Sequence, residues 1–199
     1  VHEPMAKGQV ERLMPLVGSV LAEAGVGVGD LDAVGVGVGP GNFTGLRISV
    51  AAARGLALAC GIPAIGVSGF DLLRMACTAE RVLVSLPGPR GGVYLQGYVG
   101  AETVGAPVHV DDPDAIDPAL APGGGGVVVC GAEAARLALR VQAAATQEAD
   151  VPTLGLAAGI ARIAAARYGS GRETERPAPL YVKPADAAPA RATPPVILP

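Results

Sequence analysis

The chain has 199 residues, with 15 Lys+Arg against 18 Asp+Glu, a formal charge of −3 and a charged fraction of 17%. Holding only 4 Tyr, 2 Phe and no Trp, it lacks both the basic balance and the stacking platforms that direct nucleic-acid readout needs. The 50% hydrophobic fraction, 29 Gly and 18 Pro describe instead one large or two small domains of small side chains, long enough to bury a core without staples. Cys60, Cys77 and Cys130 are far apart with no paired spacing, so they read as buried hydrophobes in a reducing, cytoplasmic setting. Val1 to Lys7 has no apolar centre, so no signal peptide is expected. Gly, Asp or Arg interrupts each apolar run before the roughly 18 residues of a membrane span.

From Gln9 to Ala24, Val10, Leu13, Met14, Val17, Val20 and Leu21 recur at spacings of three and four, which predicts an amphipathic helix stopped by Gly25. Pro15 inside it cannot donate to the carbonyl of Glu11, so a kink or a late start is expected. Ala33 to Gly39 reads as a short buried strand in which Val alternates with Gly. Glycine at every second position clears one face for a closely packed backbone or helix. Thr44 to Cys60 is a second helix ended by Gly61 and Pro63, Ile62 to Val67 a strand, and Ser68 with Asp71 a capping box opening a third helix through Met75. This alternation belongs to parallel strands in an α/β fold.

The pattern changes near Glu80, where a boundary is placed. Arg81 to Leu86 and Gly92 to Val99 are strands joined by the hairpin signal of Pro87 to Gly91. Val127 to Cys130 is a further strand, and Ala132 to Ala144 and Leu154 to Tyr168 are helices. Residues 184–199 are rich in Pro and Ala and are expected to be an extended tail. The chain thus divides into a first lobe over 1–80, a second over 81–183 and the tail.

The most informative stretch joins strand to helix: Gly39, Pro40, Gly41, Asn42, Phe43, Thr44, Gly45 and, a half-turn on, Arg47. Gly39 and Gly41 permit backbone angles closed to other residues, with a positive φ expected at Gly41, and either Thr44 or Asn42 can cap the helix. The turn is open to two readings, a structural tight turn or an anion nest at the helix start. It lacks the lysine of a phosphate loop and the spacing of a dinucleotide fingerprint. Arg47 and Arg54 lie seven apart, nearly on one helix face, and either snorkel at a solvated edge or pair with acidic groups of a partner.

The run GPGNFTGLRISVAAARGLA at 39–57 resembles the signature of the TsaB family, also called YeaZ, the dimerisation subunit of the bacterial tRNA threonylcarbamoyladenosine synthase. GIPAIGVSGFDLL at 61–73, RGGVYLQGY at 90–98 and PLYVKPAD at 179–186 follow in the family's order. The resemblance implies an actin-like fold of two lobes, each on an RNase H-like sheet, with no catalytic residue of its own. It implies assembly with the catalytic subunit TsaD and the ATPase TsaE, or self-pairing when TsaD is absent, with tRNA met only through the complex. ATP and threonylcarbamoyl-adenylate are then used by the complex, and no cofactor by this chain alone. The implied partner surface is formed by the first two helices through Val10, Leu13, Met14, Val17, Leu21, Arg47, Val50 and Arg54.

Two departures from the family accompany the resemblance. The sequence opens at a point the family reaches only after its first strands and phosphate loop, so the first lobe is expected to be truncated. Gln9 stands where relatives often keep a histidine, and a metal site is not expected. Two alternatives come from other classes. An actin-like phosphotransferase or ATPase would need acidic magnesium ligands on its opening strand. A peptidase of the glycoprotease-like group would need a zinc helix, but His2 and His109 are far apart and no HExxH occurs. Ser68 lacks the nucleophile elbow, and Asp111, Asp112 and Asp114 read as a solvated loop rather than a magnesium cluster.

Overall fold

A computed structural model describes residues 1–5, 7–149, 155–171 and 175–183. The helices and strands run in the order α1 (Gln9–Ala24), β1 (Val34–Gly39), α2 (Phe43–Cys60), β2 (Ala64–Ser68), α3 (Gly69–Ala76), β3 (Arg81–Pro87), β4 (Val93–Val99), β5 (Glu102–Val110), β6 (Val128–Gly131), α4 (Ala134–Val141), β7 (Ala145–Gln147) and α5 (Leu156–Gly169). Leu154, expected to start the last helix, and the 184–199 tail lie outside the described residues.

Two sheets form. One is the parallel pair β1-β2, joined by the crossover helix α2, and the other has the order β5-β4-β3-β6-β7. In the second, β3, β4 and β5 form an antiparallel meander while β6 and β7 continue parallel to β3. This is the RNase H-like arrangement the resemblance implies for a lobe. Each strand of the first pair keeps one edge without a ladder partner among the described residues.

Helix α1 runs from Gln9 to Ala24 with Pro15 inside and Gly25 in the left-handed conformation as its stop. Pro15 therefore does not delay the helix start. Helix α2 is 18 residues long and apolar enough, by length and composition, to cross a membrane, which corrects the expectation that every apolar run falls short. Here it packs Val50, Ala53 and Ala57 into the protein. Strands β5 and β7 had no sequence signal; β5 forms by antiparallel pairing to β4, with a register irregularity between Leu95 and Gly97.

The glycine alternation in β1 does what its spacing predicts. A Cβ built on Gly35 would stand 2.8 Å from Ala164 Cβ and 3.2 Å from Ile160 Cγ2, both on α5. Helix α5 thus lies against the bare face of the parallel pair, and Ala164 joins Ile65, Val67 and Leu72 in one buried cluster. The boundary near Glu80 separates the two sheets, but α5 and segment 175–183 return to the first one. The assignment of 81–183 as a single lobe is corrected accordingly.

In the second sheet, Val82, Val84 and Cys130 pack with Phe70, Leu73 and Cys77 from the α3 side. Leu83, Val93, Leu95, Val129 and Leu137 pack on the other face. All three cysteines are free thiols, with Cys77 and Cys130 buried and Cys60 partly so. Burial, reinforced by the adjacent Cys77, pushes the Cys130 thiol up to about 11.

Two outcomes follow from this packing. Gly35→Val should lower the free energy of unfolding by about 1–3 kcal/mol, since the branched side chain overpacks against α5; urea titration checks it, and an unchanged midpoint would contradict the close approach. The unfolded chain loses the Cys130 proton at the ordinary thiol value of about 8.5, whereas the folded chain keeps it to about 11. Stability should therefore fall as pH rises through that interval, and Cys130→Ala should flatten that part of the pH profile.

Candidate functional site

Strand β1 ends in a tight turn. Gly39 has φ 108° and the Gly39–Pro40 peptide bond is cis. A Cβ on Gly39 would meet Leu46 Cδ1 at 2.8 Å and the Leu180 carbonyl oxygen at 3.4 Å. The register of β1 against β2 shifts between Gly37 and Gly39, and the Val38 carbonyl accepts a hydrogen bond from the Leu180 amide at 2.8 Å. Gly41, by contrast, has no positive φ and faces open space. The conformational demand placed on Gly41 by sequence reasoning belongs to Gly39, because that residue turns the chain under Leu46.

Of the two candidate caps, Asn42 performs the role: its Oδ1 accepts from the Gly45 amide at 2.9 Å. Phe43 and Thr44 fall in the first turn of α2. A donor that an anion would need is thereby already engaged, which favours the structural reading of the turn. The turn also organises aromatic and cationic groups. The Arg47 guanidinium lies 3.8 Å from the Phe43 ring centroid, its Nε donates to the Tyr181 hydroxyl at 2.9 Å, and the two rings stand 5.0 Å apart. At an exposed site such a cation–π contact contributes about 0.5–1 kcal/mol. Tyr181 comes from the PLYVK motif, 134 residues away from Arg47. Nothing in the sequence beyond the scarcity of rings links the two motifs.

The helix surface around this turn is poorly covered. Helix α1 has no buried residue; Val10 is 61% and Met14 47% exposed, while Leu13, Val17 and Leu21 are half-buried. On α2, Arg47, Ala51, Arg54 and Leu58 share one exposed face, with Leu58 82% exposed. Val50 is the exception among the expected partner contacts. It is 3% exposed and packs with Val36 and Ala53, because its position on the helix turns it toward β1. Val50 is therefore a core residue and not part of an accessible face.

The other polar candidates are engaged within the fold. Ser68 accepts from the Asp71 amide at 3.1 Å and Asp71 Oδ2 accepts from the Ser68 amide at 2.9 Å, the capping box the sequence predicts. Asp71 also pairs with Arg167 of α5 at 3.0 Å and accepts from the Tyr98 hydroxyl at 3.3 Å. Burial, then the Asp71 charge, holds the Tyr98 phenol well above its usual range. Asp71 thus ties α3, α5 and the second sheet together, a role beyond capping that only the tertiary structure reveals.

Asp112 caps the Asp114 amide at 3.0 Å, Asp114 pairs with Arg136, and Asp111 lies 3.7 Å from His109 and 3.9 Å from Lys183. His109 packs on Tyr94 with ring centroids 5.0 Å apart, and His2 is exposed at the other end of the chain. Among the described residues no three His, Cys, Asp or Glu side chains converge as a metal site. A cavity of about 620 Å³ between the sheets is lined chiefly by apolar groups, including Leu46, Leu72, Leu86 and Ile160.

Substitutions at the turn separate the two glycines. Gly39→Val should cost at least about 2 kcal/mol through strain and contact with Leu46, whereas Gly41→Ala should stay within about 0.5 kcal/mol of the parent. Thermal unfolding of the two variants checks this, and equal losses would contradict the geometry.

Residues 3–166 match the family model described as TsaD, tRNA N6-adenosine threonylcarbamoyltransferase. An uncharacterised Mycobacterium leprae protein is 39% identical over 122 residues, covering 59% of this chain and 34% of that protein. The tRNA threonylcarbamoyladenosine biosynthesis protein TsaB of Escherichia coli is 39% identical over 94 residues, covering 44% of this chain and 40% of its own length. Its Haemophilus influenzae counterpart is 30% identical over 103 residues, covering 50% and 44%. The chain thus spans less than half the length of each of these curated relatives. Among solved structures, YeaZ from Pseudomonas aeruginosa superposes with a TM-score of 0.62 at 28% identity, covering 90% of this chain and 86% of that one. With the match to the family model covering most of the sequence and the actin-like lobe present in the fold, the chain belongs to the TsaD family and is a member of its TsaB/YeaZ branch.

Proposed function

We propose that this chain takes part in forming threonylcarbamoyladenosine on tRNA as a non-catalytic subunit that pairs with TsaD through α1 and α2. The observation that carries the reading is the under-covered helix surface: α1 buries none of its residues, yet presents Val10 and Met14 outward, with Leu13, Val17 and Leu21 half-buried beside them. An isolated amphipathic helix leaves water against its apolar stripe, and burying each such side chain contributes about 1.5–3 kcal/mol. A partner helix pair laid across α1 and α2 supplies that burial. The relatives named for threonylcarbamoyladenosine biosynthesis support the pathway.

A supporting role agrees with the chemistry present. Asp71, Asp112 and Asp114 serve caps and ion pairs, and the signature turn holds an asparagine cap rather than a phosphate-binding lysine. In this reading TsaD, with TsaE as the ATPase of the complex, carries out transfer from threonylcarbamoyl-adenylate. This chain stabilises the competent form of TsaD and meets tRNA only within the assembly, in the cytoplasm. Alone, the same surface supports a homodimer.

Leu13→Asp places an unpaired charge in that interface and should abolish co-elution with TsaD in gel filtration, at a cost of several kcal/mol. The variant should unfold at the parent's temperature, because Leu13 is only half-buried in the isolated chain. An unchanged complex would refute pairing through α1.

A further inference from the structure

We draw no further inference here: the strongest candidate, the apolar cavity of about 620 Å³ between the two sheets, walled by Gly37 and Gly39 of β1, carries nothing, because a strand filling it would restate the fold established for the family and nothing in the structure shows any other occupant.

Discussion

The face of β1 that carries Gly35 and Gly37 has no side chains, and that absence decides where the second half of the chain goes. Helix α5 approaches until Ala164 and Ile160 occupy the space two Cβ atoms would need, so α5 becomes part of the first sheet's core. Arg167 at its far end can then pair with Asp71 and donate to the Gly66 carbonyl. The following segment returns along β1, donating from Leu180 to Val38. Tyr181 is thereby delivered to α2, where it meets Arg47 and Phe43. The signature turn and the Arg47–Tyr181 contact both depend on a backbone contact that only glycine allows.

The same contact explains how two sheets of unequal size coexist. The second sheet is a five-stranded unit with apolar clusters on both faces, one of them shared with Phe70 and Leu73 of α3. The first is a single parallel pair, whose cover comes from α2 on one side and α5 on the other. Parallel strands require both faces covered, and here elements from the two ends of the sequence provide it. Asp71 stands at the junction, accepting from Ser68 and Tyr98 while paired with Arg167.

Much of this was legible in the residues themselves. The spacing of Val10, Leu13, Val17 and Leu21 gave α1 its bounds, Ser68 with Asp71 gave the capping box, and the Val–Gly alternation announced a close neighbour without naming α5. The failures share a cause: each concerned a feature created by a distant partner. Strand β5 contains Gly105 and Pro107 and owes its form to pairing with β4; β7 is three residues long and leans on β6. Gly39 rather than Gly41 takes the positive φ because Leu46 and the returning Leu180 close over that point. Val50 is core rather than interface because β1 lies beneath it. The Arg47–Tyr181 contact was hidden because no local rule joins positions so far apart.

The polar residues of the site cap helices and close ion pairs, while the first two helices leave apolar and cationic side chains uncovered. In the proposed function the protein that covers these helices is TsaD. The most direct measurement is the rate of threonylcarbamoyladenosine formation on tRNA by purified TsaD and TsaE, supplied with threonylcarbamoyl-adenylate and ATP, in the presence and absence of this chain. A rate that collapses on omission and returns in proportion to added chain is the expected result; a rate unchanged by omission would contradict the account.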